Sequence, residues 1–162
     1  MTVTPSKTAS AAHAGEALIA YHAELKDVLD HWAAALAAAA GDGSPIRPVR
    51  NLLRAFLADE VLPHAVAEER TLYRAARRDP GASRLVAELI SEHQALAAMT
   101  SRLGEPARPA DIAAQAAAIS ALFAGHVTKE NSLLLPALEH SGADLAALLA
   151  REPRLARGQC AA

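Results

Sequence analysis

The chain has 162 residues, within the range of one domain, and a formal net charge of −2 with its seven histidines neutral. Sixteen basic residues against eighteen acidic ones, with aromatics at 3%, give no basic field or aromatic-interleaved patch for nucleic acid. The single cysteine, Cys160, allows no internal disulfide, so any metal must be held by nitrogen and oxygen.

The opening stretch MTVTPSKTASAAHAG has no apolar core of a secretion signal, and residues 1–12 are expected to form a flexible arm. A helix is predicted from about Ala11 to Ala40, with Leu18, His22, Leu25, Leu29, Trp32 and Leu36 on one face. GDGSP at 41–45 stops it. A second helix is predicted from about Pro48 to Arg78, with Leu53, Leu57, Glu60, His64, Glu68, Leu72 and Ala75 inward. Pro63 lies inside that pattern and should kink it just before His64, because proline lacks an amide donor.

DPGAS at 79–83 separates the second helix from the third, predicted from about Ser83 to Leu103 with Leu85, Leu89, His93, Leu96, Ala97 and Thr100 inward. After GEPARPAD, Asp111 is expected to cap a fourth helix that runs to about His140. Its inward stripe is Ile119, Leu122, His126, Glu130, Leu133, Leu134 and Ala137, with Pro136 interrupting it near the end. A short fifth helix is predicted over Asp144 to Ala150. The expected architecture is all-α, an antiparallel up-down-up-down four-helix bundle, because the connections are short. The folded domain is expected over 13–151 and a flexible tail over 152–162. Charges interrupt every apolar run, so no membrane span is predicted, and a cytoplasmic location is expected.

Each of the four long helices carries a histidine on its inner stripe: His22, His64, His93 and His126. Two are followed four residues later by a glutamate, Glu68 in HAVAE and Glu130 in HVTKE, on the same helix face. A lone histidine on an apolar face is usually a satisfied core residue, and one such pair is usually a surface interaction. Four segments in matching register point instead to a buried metal site. Bridging carboxylates and four imidazoles can hold a pair of ions; iron and manganese accept such ligands, and zinc does also.

The neighbours carry weaker expectations. Glu60, one turn before His64, is read as a further ligand, a group behind the ligands, or a solvent-facing charge. Tyr21 and Tyr73 are candidates to line the cavity. Glu69 and Glu92 adjoin site residues but are read as surface groups, since helix geometry turns them away. His13, His31 and His140 are read as peripheral, and Arg47, Arg50, Arg54, Arg70, Arg74, Arg77 and Arg78 as solvated helix faces.

The order His, His-x-x-x-Glu, His, His-x-x-x-Glu, with FLADEVLPHAVAEERTLY, LVAELISEHQAL and LFAGHVTKENSLLLPAL around it, resembles the hemerythrin-like, or HHE cation-binding, family over about residues 15–140. The resemblance implies a four-helix bundle with two non-haem iron ions and a bridging oxo or hydroxo species. By position, His22 and His64 would serve one iron and His93 and His126 the other, with Glu68 and Glu130 bridging. Oxygen-carrying members have a further histidine where this chain has Ala97, so that position is expected to line an opening in the cavity. The implied function is binding or responding to oxygen, peroxide or iron, with an electron donor or protein partner. A di-iron oxidase, catalase-like enzyme or oxygenase is the enzymatic alternative, and a structural metal-binding interaction protein the third.

Overall fold

The structure is a computed structural model that describes residues 7–152 and 154–155, with side chains from residue 13 onward. Residues 1–6 of the expected arm, and 156–162 with Cys160, lie outside the described residues. Helix α1 spans Lys7–Asp42, so it begins before the expected Ala11 and takes in the second half of that arm. Gly43, at φ 77°, supplies the left-handed residue that ends it.

The second rod, α2, is built of Ile46–Phe56, a π-helical turn Leu57–Val61, then Leu62–Glu68, a second π turn Glu69–Tyr73, and Arg74–Ala76. Helix α3 spans Ser83–Arg102. The fourth rod, α4, joins Pro109–Lys129, a π turn Glu130–Leu134 and Leu135–His140. A short α5, Leu145–Leu149, follows, with Asp144 accepting from the Ala147 amide at 3.0 Å. Among the described residues there is no strand. Helix α1 packs against α2 and α4, and α3 against the same two, so the four rods close a ring of neighbours.

Both internal prolines are absorbed by π turns. Pro63 and Pro136 each fall two residues after one ends, in the first turn of the following α segment. Widening the helix removes the clash between the proline ring and the preceding turn. The carbonyl of Asp59, which Pro63 cannot bond, accepts instead from Arg154 Nη1 at 3.0 Å. A π turn also inserts a residue into the helical phase. Leu134 is therefore buried and Leu133 exposed, which corrects the inward placement of Leu133.

Asp111 does not cap α4. The chain enters through Arg108 in an extended conformation, with Pro109 at the first helical position, where no amide is needed. Asp111 sits in the first turn, near the positive end of the helix dipole, and accepts two hydrogen bonds from the Arg108 guanidinium at 2.7 and 2.8 Å.

Buried apolar side chains form two clusters. One gathers Leu18, Leu72, Val86, Leu89, Leu134 and the α5 leucines. The other gathers Leu25, Leu57, Val61, Leu96, Ile119 and Phe123. His22, His64, His93 and His126 stand where each helix passes from one cluster to the other, so a polar layer is sandwiched in the core. Leu155 belongs to the first cluster and is fully buried, so the chain stays docked beyond the expected boundary at 151. The segment Pro109–His140 is long and apolar enough to cross a membrane by length and composition. Its alanines supply much of that apolarity, and one face carries His126 and Glu130 into the bundle.

Candidate metal centre

His22 comes from α1, His64 and Glu68 from α2, His93 from α3, and His126 and Glu130 from α4; all six are 5% exposed or less. Helical steps of four put each His/Glu pair on one stripe, and the ring of rods brings the stripes together. Both glutamates stand where an α segment gives way to a π turn. Such turns recur where a helix has to present functional groups.

The four imidazoles meet in two pairs. His22 Nε2 lies 3.1 Å from His64 Nε2, and His93 Nε2 lies 3.0 Å from His126 Nε2. Each carboxylate reaches both pairs. Glu68 Oε1 is 3.1 Å from His22 Nε2 and 3.0 Å from His64 Nε2, while its Oε2 is 3.7 Å from His93 Nε2. Glu130 Oε1 is 3.4 Å from His126 Nε2, while its Oε2 is 3.7 Å from His22 Nε2. Two overlapping ligand groups result: His22, His64 and Glu68, and Glu68, His93, His126 and Glu130.

Three of the imidazoles are held from behind. The Nδ1–H of His22 donates to Asn131 Oδ1 at 2.8 Å, that of His93 to Glu69 Oε1 at 2.8 Å, and that of His126 to Glu92 Oε2 at 2.9 Å. A proton on Nδ1 leaves Nε2 as the lone-pair nitrogen. The lone pairs of His93 and His126 then face each other at 3.0 Å, with Glu68 Oε2 and Glu130 Oε2 buried nearby without hydrogen-bond partners. Converging buried lone pairs repel unless a cation lies among them, so the donor set fits a metal. These contacts correct the reading of Glu69 and Glu92 as surface groups. Glu92 also takes an ion pair from Lys129, which reaches Glu88 as well.

Residues 13–138 match the family model for the hemerythrin HHE cation-binding domain. The chain belongs to that family. No curated protein and no solved structure matched in the corresponding searches.

Several residues of this hemerythrin-like domain sit otherwise than the sequence suggests. Ala97 is exposed, although His93 one turn earlier is buried, so it does not line the cavity. The inner stripe of α3 passes instead through Leu96 and Thr100. Tyr73, fully buried, fills space beside the His93/His126 pair. Its ring stacks on His93, with centroids 5.3 Å apart and planes at 11°, and its O–H donates to Glu130 Oε1 at 2.5 Å. Its oxygen is also 3.3 Å from His93 Nε2 and 3.4 Å from His126 Nε2. Tyr21 packs edge-on against His64 at 5.2 Å between centroids. Glu60 is half-buried and joins neither ligand group; it lines an outer hollow of about 310 Å³ with Tyr21 and Glu24. His13, His31 and His140 are exposed, as expected of peripheral histidines.

The electrostatics of the metal-free protein follow from this crowding. Burial pulls the His126 pKa down, but the hydrogen bond and charge of Glu130, the charge of Glu68 and the contact with Glu92 raise it to about 9. His22 is raised in the same way: burial opposes, and Glu68, Glu130 and Asn131 prevail. Burial pushes the Glu68 carboxyl up, but His64 and His22 outweigh it and hold it well below the carboxylate range. Burial, then the charges of Glu68 and Glu130, push the Tyr73 phenol upward, so it keeps its proton.

A proton thus stands where a cation would. The raised histidine pKa contributes stability that is complete below the ordinary value of 6.5 and is lost as pH rises through about 9. For His126 this is worth about 3 kcal/mol. The depressed Glu68 contributes above the ordinary carboxylate value of 4.5 and loses its contribution as pH falls. Urea unfolding of the chelator-treated protein should therefore show a maximum between about pH 4.5 and 6.5 and a loss by about pH 10 of at least about 3 kcal/mol from His126, with His22 adding to it. Metal uptake should run the other way and strengthen as pH rises, because ligand protons are displaced. Metal-free stability that stays flat from pH 6 to 10 would contradict this account.

Proposed function

We propose that this HHE domain holds two non-haem iron ions and binds or responds to oxygen, peroxide or iron. His22 and His64 would hold one ion, and His93 and His126 the other. Glu68 and Glu130 would each give one oxygen to either side. The observation that carries this reading is the split of each carboxylate: its two oxygens approach different histidine pairs. Manganese or zinc suits the same donors, and iron is favoured by the mixed imidazole and carboxylate set.

Two ferrous ions held there would supply electrons and open coordination positions for a small oxygen ligand. The chain supplies the rest. Asn131, Glu69 and Glu92 orient three imidazoles. The apolar clusters on either side keep bulk water away. The Tyr73 O–H holds a proton at Glu130 Oε1, within reach of the His93/His126 side. That buried donor specifically favours a second reading, an oxidase or catalase-like enzyme acting on peroxide. The bundle is proposed to run up-down-up-down, supported by the ring of neighbours and the short connections. Sensing would require a protein partner, and redox cycling an electron donor; the proposed setting is the cytoplasm, away from nucleic acid and membranes.

The test joins metal content to reactivity. Protein purified from iron-supplied cells should contain close to two iron atoms per chain, located between these six side chains by anomalous scattering. The reduced protein, mixed rapidly with oxygen, should oxidise without releasing oxygen on evacuation. Repeated oxygen evolution on adding peroxide, without loss of iron, would favour the enzymatic reading. A single ion, or iron remote from these residues, would remove the di-iron proposal.

A further inference from the structure

Outside the metal centre, α2 and α5 enclose a concave groove of about 420 Å³. Arg70 and Arg74, one turn apart on α2, and Arg78, in the turn just after it, line it from one side, and Arg151, just after α5, also faces it. All four are exposed, and none forms an ion pair with a described residue. The one carboxylate in the lining, Asp144, already accepts the Ala147 amide as the cap of α5. The chain as a whole carries −2, so this is a local reversal of charge. Arg70 and Thr71 belong to the same π turn as Glu69 and Tyr73, which reach the metal centre.

A solvated helix face would need no wall opposite it. Here a second element closes the hollow, and Leu148 and Ala147 give it an apolar side. The volume lies in the range of small-molecule sites. Guanidinium groups present planar pairs of N–H donors that match phosphate oxygens, and unpaired arginines held close together repel one another until an anion joins them. The concavity suits a compact ligand, whereas a duplex or bilayer needs a broad basic surface.

We propose that this groove is a second binding site, for a small phosphate-bearing molecule with two or more phosphoryl charges and a short apolar body. The phosphates would sit among Arg70, Arg74, Arg78 and Arg151, and the apolar part against Leu148. The site is independent of which metal the centre holds.

Inorganic pyrophosphate is the probe, titrated calorimetrically into the full-length protein as purified, in 150 mM sodium chloride. Saturable binding at one site per chain is expected. Arg74→Gln with Arg78→Gln, and separately Arg151→Gln, should each weaken it at least tenfold while helical content and iron content stay unchanged. Binding that both variants retain would place pyrophosphate elsewhere, the iron included, and overturn the proposal. A second measurement needs no variant: phenylglyoxal labelling of the wild-type protein, read by mass spectrometry. Pyrophosphate should protect the four groove arginines at least fivefold and leave Arg47 and Arg84 labelled as before. Equal labelling with and without pyrophosphate would overturn the proposal, as would sedimentation with phosphatidylserine vesicles in the absence of saturable pyrophosphate binding.

Discussion

Folded Glu68→Ala is expected to retain at most one tightly held ion. Glu68 is 1% exposed, and its two oxygens approach three histidines from two different pairs. Removing it strips an anionic donor from both halves of the centre at once, and leaves only Glu130, whose Oε2 is 3.7 Å from His22 Nε2, to serve the His22/His64 side. The metal-free variant should also be weakened, by about 3–5 kcal/mol at pH 6, because protonated histidines would lose their buried counter-charge. Circular dichroism has to show a folded protein before metal analysis is interpreted. The decisive measurements are elemental analysis and X-ray absorption on the same sample. Two ions at an unchanged separation in folded E68A would refute the bridging role of Glu68.

Glu92→Ala and Glu69→Ala should each lower metal affinity by roughly 10- to 100-fold, although neither residue is proposed to touch metal. Glu92 accepts from His126 Nδ1 at 2.9 Å and Glu69 from His93 Nδ1 at 2.8 Å. Each contact fixes the ring orientation and keeps the Nε2 lone pair aimed at the centre. Without the acceptor the ring can turn or shift its proton to Nε2, and binding must then reverse that change. Glu60→Ala is the matched control, since Glu60 stands in neither ligand group, and should change affinity less than threefold. Competition against a chelator of known affinity, at constant pH, measures all three variants. A Glu92→Ala affinity within threefold of wild type would reduce its contact with His126 to packing.

Much of the fold was legible in the sequence. The four inner stripes and the turn segments between them are local signals: apolar spacing of three or four, and proline or glycine at the breaks. The structure finds those helices and the short one after Asp144. The histidine and glutamate positions were legible for the same reason, because a residue in register with leucines is carried inward by its helix. The orienting acceptors were not. Glu69 follows Glu68 and Asn131 follows Glu130, so each His-x-x-x-Glu is trailed by a polar residue that grips a histidine on another helix. That repeated placement was a usable signal. For Glu69, ideal helix geometry turns the residue after an inward one away, whereas here a π turn begins at that residue; the turn carrying Asn131 begins one residue earlier, at Glu130.

By itself, then, the chain determined its helices, their breaks and the inward turn of the four histidines and two glutamates, since all of these follow from patterns within a few residues. Family membership was carried by the same pattern. Only the tertiary structure decided that Tyr73 fills the His93/His126 side, that Ala97 faces solvent, that Leu155 completes the core and that the α2 arginines face a wall. Each of these depends on the rotation and approach of a neighbouring element. In α2 and α4 a one-residue π insertion also changes that rotation by about a quarter of a turn, and local periodicity does not register it.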